Sequence, residues 1–190
     1  MVRSDSEAGS AEAELVRRAR GGDRAAFAEL YDDHTGLVHG ILISMVKPQD
    51  ARDLVQDVFL SALRAIGRLE RDDRFGPWVA TIARNRAKDA YKSRTPEVGL
   101  DEIMDPPAAG APEEEPDGAD EEAERVLAVV RDLPEAYRET LCLRLVEGLT
   151  GPEIATRTGL THGSVRVNLH RGMKLLRERL EGLGMRGCSA

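Results

Sequence analysis

The chain has 190 residues, room for one large or two small domains, and its 4% aromatic content with abundant Ala, Leu, Arg and Glu points to helices. No apolar run approaches the roughly 20 residues needed to cross a bilayer, and the opening MVRSDSEAGSAEAE has no apolar core behind Arg3, so neither a membrane span nor a secretory signal is expected and the cytoplasm is the expected location. The net charge of −7 hides a partition: Pro96 to Glu124 holds 12 acids and no Lys or Arg, and removing that stretch leaves the rest at +5, so the acidic average does not exclude nucleic acid.

In chain order, a short helix is expected near Glu12 to Arg20, ended by Gly21-Gly22, with Asp23 as N-cap of the next. That second helix carries Phe27, Leu30, Tyr31, Leu37, Val38, Ile41, Leu42 and Met45 at helical spacing. Pro48 and Asp50 open a third, with Leu54, Val55, Val58, Phe59, Ala62, Leu63 and Ile66 as its apolar stripe. After the polar loop GRLERDDR, a fourth helix turns Phe75, Trp78, Val79, Ile82 and Ala83 inward. Its Arg84, Asn85, Arg86, Lys88, Lys92 and Arg94 spread over the remaining surface. So basic a helix, beside Tyr91, suits single-stranded or melted nucleic acid, where cations meet phosphate and rings meet bases. Trp78, in the inward stripe, is read as core rather than as a stacking platform.

The acidic stretch is rich in Pro, Gly, Ala and Glu and poor in large apolar residues, so it cannot bury enough surface to offset ordering entropy and reads as a linker. Its 29 residues would span about 30 Å as a coil and about 100 Å extended. The C-terminal block begins near Asp120 with Val126, Leu127, Val129 and Val130 and breaks at Leu133-Pro134. Pro134 opens a helix with Tyr137, Leu141, Cys142 and Leu145 inward and Gly148 closing it.

Gly151 to Arg171, GPEIATRTGLTHGSVRVNLHR, has the layout of a helix-turn-helix. Thr150 and Glu153 form a capping box, Ile154 and Ala155 face inward, Gly159 permits a left-handed turn and Leu160 plugs the corner. In the second helix Val165, Leu169, Met173, Leu176 and Leu180 are core, leaving Ser164, Arg166, Asn168, Arg171 and Lys174 outward. Such a helix offers its N-terminal polar residues to base edges and its cations to phosphate. An ordinary helical hairpin with a solvated Arg face is the plainer reading. Two further details bear on chemistry. Cys142 and Cys188 have no metal-type spacing, and a structural disulfide is not expected. Asp32, Asp33, His34 and His39 cluster on one helix, but the histidines are five apart and no second carboxylate-histidine helix completes a cage, so no enzyme activity, metal or cofactor is expected.

The sequence as a whole resembles the extracytoplasmic-function group of the sigma-70 family. The resemblance rests on DARDLVQDVFLSALRAI, FGPWVATIARNRAKDAYKSR, the acidic linker, and LPEAYRETLCLRLVEGLTGPEIATRTGLTHGSVRVNLHRGMKLLRERL, in the family's order. It implies an all-α chain of two small helical domains joined by a flexible acidic linker: an N-terminal segment 1–22, region 2 at 23–95, the linker 96–120, region 4 at 121–183 and a tail 184–190. It implies a promoter-recognition subunit whose partners are core RNA polymerase, through the β′ coiled coil and the β subunit, and promoter DNA. Anti-sigma partners are common in the family, though no residue here identifies one.

Carried over residue by residue, Asp50, Arg52, Asp53, Gln56 and Asp57 lie on the helix that docks on β′, although Asp50 and Asp53 also suit the N-terminal end of any helix dipole. The −10 element falls to the loop Gly67 to Arg74 and to Asn85, Arg86, Lys88, Asp89 and Lys92. The −35 element falls to Ser164, Arg166 and Asn168 near bases, with Arg171 and Lys174 on phosphate and His162 and His170 as further donors. Two features depart from the family: Leu63 where Trp is frequent, and Gly76-Pro77 at the start of the fourth helix. The competing reading is a stand-alone helix-turn-helix regulator binding palindromes as a dimer.

Overall fold

The computed structural model describes residues 5–94 and 118–184, with side chains described for 9–90 and 121–184. The linker up to residue 117, the tail from 185 and the side chains of Tyr91, Lys92 and Arg94 lie outside them. Among the described residues eight α-helices follow in order: α1 Asp5–Arg20, α2 Arg24–Ile43, α3 Pro48–Ala65, α4 Phe75–Arg94, α5 Gly118–Arg131, α6 Glu135–Leu145, α7 Gly151–Thr158 and α8 His162–Gly182. Helices α1 to α4 form one bundle and α5 to α8 another.

Chain punctuation accounts for the first bundle's path. Gly22 takes φ 93 and ends α1, a conformation in which a Cβ would be strained. Asp23 Oδ1 then accepts the N–H groups of Ala25 and Ala26 at 2.9 and 3.1 Å, capping α2. Arg18 holds the other carboxylate oxygen at 2.7 Å, and that bond, with the two backbone donors, keeps the Asp23 carboxyl below its ordinary range. The loop expected after α3 contains two short 3-10 turns, Ile66–Arg68 and Asp72–Arg74. Arg20 ties it to α1, reaching Leu69 O at 2.8 Å and Asp72 at 2.9 Å.

The core of this bundle is built from Leu30, Leu37, Ile41, Val58 and Phe75, all fully buried. His34 is buried too, its Nδ1 3.1 Å from Leu30 O and its Nε2 3.0 Å from Glu12. Glu12 also accepts the Phe75 N–H at 3.1 Å, so one carboxylate joins α1, α2 and the start of α4. Trp78 is half-buried, with its ring 5.7 Å from that of Phe75. The second bundle closes around Val130, Leu141, Ile154, Val165 and Leu176.

Several sequence expectations shift. Helix α1 starts at Asp5, a turn and more before Glu12, and Pro134 is the N-cap of α6 rather than its first residue. Leu63 is 46% exposed and Leu60 50%, so Leu63 leaves the inward stripe. The α3 core face runs through Val55, Val58, Phe59 and Ala62, and Leu63, one residue beyond Ala62, is rotated about 100° off it. Leu160 is 37% exposed and does not plug the turn. In α6 Leu145 is exposed whereas Leu143 is buried, because α6 is covered on two sides, by α8 and by α2 of the other bundle.

Candidate nucleic-acid interface

The helix-turn-helix is assembled by local hydrogen bonding. Thr150 and Glu153 cap α7 reciprocally: Glu153 Oε2 accepts the Thr150 N–H and hydroxyl at 2.7 Å each, and Thr150 Oγ1 accepts the Glu153 N–H at 3.4 Å. Those donations lower the Glu153 pKa. Gly159 takes φ 78 and turns the chain, and Thr161 Oγ1 caps α8 by accepting the Ser164 N–H at 3.1 Å. The Ser164 hydroxyl lies 2.8 Å from the same oxygen, so part of its bonding capacity serves the cap.

Helix α8 is pressed flat on α6 at Gly172, where a Cβ would come within 3.0 Å of Leu141 and 3.1 Å of Tyr137. Val165 and Leu176 are buried on that side. The opposite side carries Ser164, Val167, His170, Arg171 and Lys174, all exposed and spaced as one helical face. Arg166 is exposed on one flank of this face; Asn168 lies on the other and is half-buried. His162 is exposed at the head of the helix. Val167, 41% exposed at the middle of the polar face, was not among the sequence candidates, because apolar residues in a helix are assigned to core by default.

On the first bundle, Asn85, Arg86, Lys88 and Asp89 are exposed along α4 and Arg74 is exposed in the preceding 3-10 turn. Arg86 donates to the Ser61 hydroxyl at 2.8 Å. Arg84 clamps Glu139 of α6 with two bonds of 2.7 and 2.8 Å, which raises the guanidinium pKa further, and Lys88 lies 3.9 Å from Glu135. Arg74 also faces a cleft of about 720 Å³ between the bundles, shared with Glu12, Asp33, Asp73, Arg157 and His162. On α3, Arg52, Asp53, Gln56 and Asp57 are exposed and Asp50 is half-buried. Leu60 and Leu63 extend this exposed strip with apolar surface that pattern reading missed. His34 and His39 serve different partners, Glu12 and Glu147. Among the described residues, no three His, Cys, Asp or Glu gather as a metal site, and no helix is long and apolar enough to cross a membrane.

Comparison with known proteins agrees with this layout. Residues 30–97 match the family Sigma-70 region 2, and residues 123–176 match Sigma-70, region 4. The RNA polymerase sigma factor CarQ of Myxococcus xanthus is 37% identical over 87% of this chain and 95% of its own length. The ECF RNA polymerase sigma factor BldN of Streptomyces coelicolor is 34% identical over 86% of this chain, which spans 63% of that longer relative. In solved structures, CnrH in complex with the cytosolic domain of CnrY shares the fold, with a TM-score of 0.63 at 24% identity over 90% of this chain and 98% of that one. Both regions in one chain, with a relative 37% identical along nearly its whole length, show that the protein belongs to the extracytoplasmic-function group of the sigma-70 family, the sigma factors that direct RNA polymerase to promoters.

Proposed function

We propose that this chain directs core RNA polymerase through two domains, 23–95 acting as region 2 and 121–183 as region 4, joined by 96–120 as the tether. The outward face of α8 reads the −35 element in the major groove. Ser164, Arg166 and Asn168 approach base edges, Arg171 and Lys174 hold phosphate, and His162 flanks the entry. Val167 adds an apolar contact suited to a thymine methyl, since the methyl is the only apolar group on a base edge in that groove. The face of α4 bearing Asn85, Arg86, Lys88, Asp89 and Lys92, with Arg74 before it, holds the opened −10 strand. Unstacking bases costs a few kcal/mol per step, and phosphate contacts with base pockets offset that cost.

Docking on the polymerase falls to α3, where Asp50, Asp53, Gln56 and Asp57 supply charge and polarity and the exposed Leu60 and Leu63 supply apolar area. In this reading the chain contributes recognition and strand opening while the polymerase makes RNA, so it is not itself an enzyme, and it works in the cytoplasm where the polymerase is. An anti-sigma partner is a further expectation, since the sigma factor RpoE of Bartonella quintana was solved in complex with the anti-sigma factor NepR.

The observation carrying the proposal is the exposed polar face of α8, presented on a capped helix-turn-helix in the same chain as a region 2 bundle. The test is run-off transcription with sigma-free core polymerase on a library of promoter fragments. Initiation at specific sites only when the protein is added supports it. No initiation, with tight binding of the protein alone to duplex DNA, would replace it with the stand-alone regulator.

A further inference from the structure

Helix α1 precedes the stretch that matches Sigma-70 region 2, which begins at residue 30, so that match leaves the helix without a role. Three of its polar side chains nevertheless converge on one partner, the loop that runs from α3 into α4. The Arg20 guanidinium bridges two acceptors there with a single nitrogen, Nη2 lying 2.8 Å from Leu69 O and 2.9 Å from Asp72 Oδ1. Arg17 stands 3.8 Å from the other Asp72 oxygen, and Glu12 accepts the Phe75 N–H at 3.1 Å. Residues 20, 17 and 12 thus meet residues 69, 72 and 75 in turn. The loop therefore lies antiparallel along about 12 Å of the helix, at 1.5 Å of rise per residue.

Between its two 3-10 turns the loop backbone is extended, with Leu69 at φ −70, ψ 113 and Arg71 at φ −122, ψ 113. An extended stretch outside a sheet has no repeating hydrogen bonds of its own, so its shape is set by what it leans on. Leu69 is buried at one end and Asp72 is held by Arg20 at the other, leaving Arg68, Glu70 and Arg74 exposed on the outer side. The inference rests on the function proposed above, in which this loop and α4 hold the opened −10 strand. A loop ordered before it meets that strand has no conformational freedom left to lose on binding. We propose that α1 is a splint for the −10 loop and that Arg20 is its positioning residue. Acting through Leu69 and Asp72 rather than on DNA, Arg20 fixes the loop backbone in the shape that discriminates among −10 bases. A helix that only added stability could be weakened anywhere along its length with the same result, whereas a splint is sensitive where it touches the loop.

The test assembles the full chain with core polymerase and measures open-complex formation on promoters carrying each base in turn at every −10 position, with a parallel set varied at −35. Arg20→Gln removes the charged bridge and is expected to slow opening about tenfold on the preferred −10 sequence. It should also flatten the −10 preference while leaving the −35 preference unchanged. Arg20→Lys, whose ammonium can likewise donate to a carbonyl and a carboxylate together, should restore both. Arg18→Gln is the matched control: it breaks the 2.7 Å pair with Asp23, on the same helix but outside the loop. That change should lower the melting temperature and leave the −10 profile as it was. The splint is overturned if Arg20→Gln keeps the full −10 preference, or if Arg18→Gln flattens it equally. Failure of the underlying reading looks different, since Arg74→Ala and Asn85→Ala would then leave the −10 preference intact as well, or no protein in the set would initiate.

Discussion

Side chains on the outward face of α8 differ in what each can read. Arg171→Ala should weaken promoter binding by similar factors on all sequences and flatten its salt dependence, as expected for a phosphate contact. Arg166 or Asn168 substitutions should instead change preference at particular −35 positions, scored on a library of −35 variants. For Val167 the sharper probe is the DNA: replacing one thymine by uracil deletes a single methyl. At the position Val167 touches, that loss should cost about threefold to fourfold in affinity and should vanish in Val167→Ala; equal penalties in both proteins would remove Val167 from the readout. The polar members of this face were legible as outward in the sequence because Ser164, Arg171 and Lys174 fall opposite the apolar stripe of Val165, Leu176 and their neighbours. Val167 and Leu63 were not, since an apolar side chain matches a core stripe equally well whether or not anything covers it, and only three-dimensional packing separates the two cases.

At the level of elements, caps were the most legible feature, because they depend on residues within a few positions of one another. Asp23 before α2, the Thr150–Glu153 box on α7 and the left-handed Gly159 were readable from sequence and occur in the structure. Thr150→Ala should lower stability by about 1 kcal/mol, measured by thermal unfolding. Asp23 and Glu153 both have carboxyl pKa values held below the ordinary range, the first mainly by Arg18 and the second mainly by Thr150. Their stabilisation is therefore fully present above the unfolded-state values near pH 4 and is lost as pH falls through the lower folded-state values. The melting temperature should fall on acidification from pH 5 to pH 2, and less steeply in the Asp23→Asn, Glu153→Gln double variant. Helix starts were less legible: α1 reaches back to Asp5 through a segment, DSEAGSA, with no apolar period to announce it.

At the scale of the molecule, the division into two helical bundles was foreseeable from the acidic stretch between them, whereas their mutual contact was not. Glycine weakens a helix interior, and the structural use of Gly36 and Gly40 shows only in three dimensions, with Leu143 and Glu147 seated over them. The pairing of Arg84 with Glu139 joins residues 55 apart in sequence, a separation no local pattern spans. Gly40→Leu should force α6 off α2, detected as a larger radius of gyration in X-ray scattering with helix content unchanged.

The second bundle also contains its own chemical timer. Cys142 is 1% exposed, and burial pushes its thiol up to about 12. At pH 7 a thiol raised this far by burial is held in its protonated, unreactive form. A disulfide reagent can thus react at an appreciable rate only while the helices around Cys142 are transiently apart. In a Cys188→Ser background, the half-life of that thiol counts how often the promoter-reading bundle breathes, and any molecule that clamps the bundle will slow the clock.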